Sequence, residues 1–312
     1  MDFSPKRLLV CAAALLVAFG WSALGHAETL RVNGVYPAGN DRAVHVRTIE
    51  IERFGGVDGR ALSIRIDDAL RAVAIGGEPW FDIRAAGFAR RSDAVLRGTA
   101  AAEVVRSRYT ERREKCVARD DAGKCIERAK VPVSCQRRTV SLDASVRLIA
   151  ASGELLYTDD TPQSEQATHC EDASGDLPTV ETVVRGLAAK IVARVRRDLA
   201  PEERSEGIRV LENRKGLGKD LQARFQQAVR MTKRDPVGAC REWNLIDAAQ
   251  PAHAPTVFNV GLCHESSGQL DAAEKQYRLV LSLSPRDSSA EAGLRRIDAR
   301  RRAERQIAAH DG

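Results

Sequence analysis

The chain is poor in aromatic rings, with seven Phe, three Trp and four Tyr among 312 residues. That leaves little for a stacking platform of the kind that holds single-stranded nucleic acid, or for a ring-lined sugar trough. It has no G-x-G-x-x-G and no G-K-[ST] ending. The one glycine-dense loop, Gly55-Gly56-Val57-Asp58-Gly59, lacks the spacing that makes such loops phosphate cradles. It reads as a strand-to-helix turn with Asp58 as N-cap. No closely spaced cysteine pair of the zinc type is present, and no Ser, His and Asp stand in a recognisable nucleophile–base–orienter context. These absences point away from an enzyme, and no cofactor is expected.

Long apolar runs are also missing, except at the start. Lys6 and Arg7 precede the apolar stretch Leu8–Leu24, followed by Gly25-His26-Ala27. A basic start, an apolar middle and a small-x-Ala ending make residues 1–27 a secretory signal peptide. Cys11 lies inside the apolar run after Val10, where a lipoprotein signal would need a small residue. The expectation is an exported, periplasmic protein cleaved after its leader.

Six cysteines remain beyond the leader, an even number read first as a disulfide framework in an oxidising compartment. Cys116 and Cys125 flank the turn Asp120-Asp121-Ala122-Gly123. Cys135 and Cys170 are centred on Ser152-Gly153 between alternating arms, with Val140, Leu142, Ala144, Val146 and Leu148 on one face and Leu156 beyond the turn. Cys240 and Cys263 lie on either side of Pro251, between two helical stretches. Each turn would bring its own pair together, so three structural crosslinks are expected. Zinc held by Cys116, Cys125, Cys135, Cys170 and His169 is the alternative.

Residues 28–200 read as a mixed α/β domain. Ala43–Phe54 alternates with period two, as a strand does. Leu62, Ile66, Leu70 and Val73 fall on one helical stripe, and so do Val180, Val184, Leu187, Ile191 and Val195. Pro79–Arg84 reads as a strand, Ala94–Tyr109 as two alternating stretches, and two hairpins follow. Strands that pair in sequence, with two amphipathic helices for one face, give a two-layer α/β sandwich. The order of elements, with Ser92–Val104, Val146–Tyr157 and Leu187–Pro201, resembles the TolB amino-terminal and CsgG-like periplasmic domain family. The resemblance implies an envelope protein that binds other proteins. It also supplies a second expectation, an outer-membrane-associated secretion or assembly component, although the charged hairpin 111–131 differs from membrane-inserting strands.

The polar stretch 201–217 reads as an interdomain linker. Beyond it, over 218–308, Ala239, Trp243, Leu245, Ile246 and Pro251 recur 34 positions later as Ala273, Tyr277, Leu279, Val280 and Pro285. This is the period of the tetratricopeptide repeat, and residues 287–307 would form a capping helix. The fold class expected is therefore α+β, a sandwich followed by all-α helical repeats. Proteins of this repeat family hold a partner's peptide in a concave groove. By position the resemblance places Phe258, Asn259, Leu262 and Glu265 there, with Arg224 and Ala228 from the first repeat. Asn259 stands out, because a side-chain amide can meet an extended backbone at both donor and acceptor.

A pI near 9.0 and the arginines at 194, 196, 197, 295, 296 and 300–302 would suit nucleic acid in another compartment. Export removes that partner, so a solvated helix face, or peripheral contact with anionic envelope components, is expected instead. Taken together, the sequence reads as a non-catalytic periplasmic adaptor for an envelope protein or peptide segment, with an exported hydrolase of unrecognised type as the rival.

Overall fold

The computed structural model describes residues 28–85 and 92–312; the expected leader, with Cys11, lies outside the described residues. In chain order the elements are β1 (Thr29–Tyr36), a single 3-10 turn (Asp41–Ala43), β2 (Thr48–Ile51), α1 (Gly59–Arg71), β3 (Ala74–Ile75), β4 (Glu78–Pro79) and β5 (Asp82–Ala85). Then come β6 (Ala94–Arg119), β7 (Cys125–Ala150), β8 (Leu155–Asp159), β9 (Gln163–Cys170), α2 (Val180–Leu199) and β10 (Glu202–Arg209). The chain ends in five helices: α3 (Lys219–Met231), α4 (Pro236–Ala249), α5 (Ala254–Ser266), α6 (Leu270–Leu283) and α7 (Ser288–Asp311). The protein is mixed α/β, a sheet unit followed by helices.

The main sheet runs β5-β2-β6-β7-β8, and β9 pairs with β7 farther along the same edge as β8. Among the described strands only β2 pairs in parallel, with β5 and β6, and the bridge Gly55–Thr99 continues that direction. One face of the sheet lies under α1 and α2. Leu62, Ile66 and Leu70 of α1 and Leu187, Ile191 and Val195 of α2 are buried on Ile49, Leu96, Leu142, Val146 and Leu148. Each such side chain contributes roughly 1.5–3 kcal/mol of burial. Of the expected α2 stripe, Val180 and Val184 are only partly buried, while Val183 and Leu199 enter the core.

Three readings of the sequence change. Of Ala43–Phe54 only Thr48–Ile51 is strand, and Ala43 belongs to the 3-10 turn that Asn40 caps. The alternation after Ala94 does not break into short strands: β6 and β7 are each 26 residues long and pair from Ala94↔Ala150 to Arg119↔Cys125. Between Ala94 and Arg119 the sequence has no proline and one glycine, Gly98. There a Cβ would meet the Ser145 carbonyl oxygen at 2.4 Å and the Phe54 ring at 2.6 Å, so the glycine serves packing and does not interrupt the strand. Pro132 is tolerated within β7 because that part of the strand pairs on one side only. Lastly, the expected linker holds β10, which pairs antiparallel with β1 from Thr29↔Arg209 to Tyr36↔Glu202.

The β1–β10 ribbon belongs to the helical core, not to the sandwich. Leu30, Val32, Val210 and Leu217 are buried with Phe225, Trp243, Phe258, Tyr277 and Ile297. The positions related by 34 residues have matching environments: Ala239 and Ala273, Trp243 and Tyr277, and Ile246 and Val280 are all fully buried, whereas Leu245 and Leu279 are exposed. Helix α7 closes the stack and runs back to the sheet unit. There Gln306 exchanges hydrogen bonds with the Ala38 amide (2.8 Å) and carbonyl (3.1 Å). His310 stacks on Trp80 at 3.7 Å and its Nδ1 lies 2.7 Å from the Val44 carbonyl oxygen.

Candidate functional site

The expected groove residues of α5 turn inward, and Asn259 holds the protein's own backbone. Phe258, Asn259, Leu262 and Glu265 are all at most 1% exposed, so none of them is presented to a partner. The backbone that Asn259 grips is Leu211: the Leu211 amide donates to Oδ1 at 2.9 Å, and Nδ2 donates to the Leu211 carbonyl oxygen at 2.9 Å. The next residues are held in the same way. His253 Nε2 lies 3.3 Å from the Lys215 carbonyl oxygen, Gln250 Nε2 donates to the Gly216 carbonyl oxygen at 2.8 Å, and the Gly218 amide donates to Gln250 Oε1 at 3.0 Å. The segment 210–218 thus fills the place expected for a foreign peptide. Arg224 stands apart and pairs with Glu242 at 2.9 Å; its neighbour Ala228 is buried.

Glu265 does internal work as well. Its carboxylate accepts from Tyr277 Oη at 2.6 Å and from Arg296 at 2.8 and 2.7 Å, and Arg300 donates to its carbonyl oxygen at 3.2 Å. Burial, then the Glu265 charge, pushes the Tyr277 hydroxyl far above its ordinary range. Burial works against the Arg296 charge, yet the hydrogen bonds to Glu265 hold its pKa above the usual value. Tyr277 needs close neighbours without side chains: a Cβ at Gly293 would lie 2.4 Å from its ring.

The arginines expected on a solvated face are mostly consumed in the same manner. Arg194 pairs with the buried Asp159 at 2.8 Å, Arg196 with Glu202 at 3.0 Å, Arg301 with Glu274 at 2.6 Å as well as with Asp271, and Arg302 with Asp41 at 3.1 Å. Asp58 makes no cap hydrogen bond to α1; its Oδ2 accepts instead from the Ala102 amide of β6 at 2.8 Å. The glycine-rich loop spends its amides on β6, with Gly55 N–H donating to the Gly98 carbonyl oxygen and Asp58 N–H to that of Ala100. It forms no open anion cradle.

The structure joins Cys116–Cys125, Cys135–Cys170 and Cys240–Cys263. Glu111 sits beside Cys135 and Cys170, a ligand-like grouping, but both sulfurs are bound to each other and supply no thiolate. Replacing Cys240 and Cys263 together by Ala removes a link across 23 residues and is expected to cost about 3 kcal/mol in a non-reducing thermal melt. The same change at Cys116 and Cys125 should leave the global melt in place, since that hairpin end can fray locally.

One carboxylate opposes stability. Asp247 Oδ1 is buried without a partner, and burial raises its pKa. In the window between its ordinary and raised values the folded state binds the proton first, so stability rises as pH falls through that window. Asp247→Asn is expected to raise the melting temperature at neutral pH and to remove this component of the wild-type pH profile. A matched pair of pH–melt curves checks it.

What remains exposed is an arm. Past the point where β9 stops pairing at Cys135, β6 and β7 continue outward as a two-stranded ribbon to the Asp120–Lys124 turn. The Cys135–Cys170 bond lies at its base with Tyr109, Val131 and Val133, and Cys116–Cys125 lies near its tip. Val117 and Ile126 are exposed beside that tip bond. Sequence reading marked this hairpin as charged but missed its length, since the alternation that reveals it continues through polar residues on both faces.

No family model matches the chain, and no curated protein does. Among solved structures, the PelC dodecamer from Paraburkholderia phytofirmans and a single-substitution variant of it are similar. Each is 20% identical, with alignments covering 53% of this chain and 95–96% of that one at a TM-score of 0.22.

Proposed function

We propose that this chain is an exported binding protein of the cell envelope, acting by contact and not by catalysis, and that the β6–β7 arm is its contact element. The observation that carries this reading is the arm itself. A two-stranded hairpin alone is marginal in water, yet here one projects from the sheet with mostly exposed side chains and a disulfide at each end. Export to the periplasm after leader cleavage is supported by those crosslinks and by the form of residues 1–27. Among the described residues no helix is long and apolar enough to cross a membrane.

Helices α3–α6 are read as two tetratricopeptide-type repeats on the strength of the 34-residue recurrence and the equivalent burial of its positions. In this reading the repeat groove is a brace, satisfied by segment 210–218, and the arm takes over the role of reaching a partner.

The test compares the mature chain with a Cys170→Ser version in which residues 106–138 are replaced by an Asn-Gly turn, as baits in periplasmic extract; the serine stands in because Cys135, the bonded partner of Cys170, goes with the arm. A partner recovered by the full arm and lost with the short one, with circular dichroism unchanged, is the expected result. Equal recovery by both would move the contact elsewhere.

A further inference from the structure

The arm's two faces differ in a way that defines a partner. Taken with its root, where β9 still pairs on the far side of β7, the arm spans residues 105–138 and carries eleven basic and five acidic side chains, a net +6, equal to the formal charge of the whole chain. On the face of the odd-numbered residues these charges are matched: Arg113 pairs with Glu111 and Asp172, Lys115 with Asp172, and Arg137 lies over the Tyr109 ring. The even-numbered face is not matched. Arg106, Arg108, Arg112 and Lys130 are exposed, and among the described residues they have no ion-pair partner. Arg106 stands directly opposite Arg138, a like-charge pair that destabilises a sheet. Arg138 is steadied by donating to the Pro178 carbonyl oxygen. Carboxylates on this face are Glu114, 4.0 Å from Arg128, with Glu165 and Glu171 on the β9 side.

The same residues own an open sheet edge. The Leu96 and Gly98 carbonyls and both backbone groups of Ala100 bond outward, toward β2 and the loop after it, and the Ala102 amide follows. By strand alternation, the N–H and C=O groups of Val104, Arg106, Arg108, Thr110 and Arg112 face outward too. Among the described residues no strand pairs with them. This is roughly 27 Å of unpaired edge, eight steps of about 3.4 Å each, and its side chains on one face include three unmatched guanidiniums.

We propose that the β6 edge from Val104 to Arg112 accepts an acidic, extended segment of a partner protein as an added antiparallel strand, with Glu or Asp at alternate positions set against Arg106, Arg108 and Arg112. This rests on the arm being the contact element. An edge strand offers main-chain hydrogen bonds that only a peptide can return, while the alternate carboxylates relieve the arginine repulsion. A second copy of this chain is a poor occupant, because pairing β6 with itself would set arginine against arginine. The helix layer stands on the same side of the sheet as the arginine ladder, as the buried Leu96 and Ala100 on that face show. A flat lipid surface is thereby held off the base of the ladder, and a single chain is not.

The test is fluorescence anisotropy on the full mature chain with a labelled ten-residue peptide alternating Glu and Thr. Expected is binding at least tenfold tighter than that of a peptide with the five Glu in one block. Methylating the Glu amide nitrogens, which would face β6, should abolish binding, and methylating the Thr nitrogens should not. Arg106→Glu/Arg108→Glu/Arg112→Glu should lose this peptide and gain one alternating Lys and Thr, a gain that misfolding cannot produce. Equal binding of the block peptide, of inorganic polyphosphate or of anionic vesicles would overturn the proposal in favour of bare charge, as would indifference to Glu methylation. If the arm is needed for partner capture but the alternating peptide does not bind, the edge proposal falls and the arm reading stands. Capture that survives arm shortening removes both.

Discussion

Replacing Glu265 by Ala is expected to lower stability by about 3–5 kcal/mol, because it strands a buried guanidinium. The Arg296 side chain is 13% exposed and Glu265 is fully buried. With the carboxylate gone, Arg296 loses both hydrogen bonds and the Tyr277 hydroxyl its acceptor. The pair also joins α5 to α7, so the loss falls on the contact that closes the helical stack. Urea denaturation of wild type, Glu265→Ala and Glu265→Ala/Arg296→Met measures it. Removing both charges should recover much of the loss, since an apolar pair of similar volume does not leave a lone ion behind. A cost under about 1 kcal/mol for the single change would mean that Arg296 finds water, and that the stack is looser than its packing indicates.

Asn259→Leu is expected to cost about 2–4 kcal/mol, since it leaves the Leu211 amide and carbonyl without partners. Its sign in a local measurement matters more than its size. Amide exchange should accelerate across 210–218 and much less in α4 and α6. The segment is tethered at both ends, so it competes with any free peptide at a high effective concentration. Wild type should therefore take up no added peptide between the helices. Uniform acceleration through the whole helical region would instead make the segment an inseparable part of one cooperative core.

Much of this architecture could be read in the residues. The stripes of α1 and α2, the turn at Ser152-Gly153, the 34-residue recurrence and the three cysteine pairs are all local patterns, and local patterns survive folding. Asn259 was legible in its chemistry, an amide that holds an extended backbone, but not in the identity of that backbone. Whether Leu211 or a foreign peptide fills the place depends on a pairing between β1 and β10 that joins residues 180 positions apart. Glu202–Arg209 itself reads as polar linker because only one side of the ribbon meets the helical core, so Ile208 is its sole apolar contact there. The arginines of α7 misled for a related reason. Charge counted along a helix says nothing of Asp41, Glu265 or Glu274 arriving from elsewhere.

The long-range closures also order events in time. The first strand has no partner until residues 202–209 exist, and the Ala38 clasp waits for Gln306, 268 positions on. A chain emerging from its amino end therefore presents Leu30 and Val32 bare for most of its synthesis or passage. High contact order of this kind slows folding, and it makes the last turns of α7 the latch of the whole molecule. Trimming the chain before Gln306 should cost far more than the few side chains removed, by leaving the opening segment unmoored.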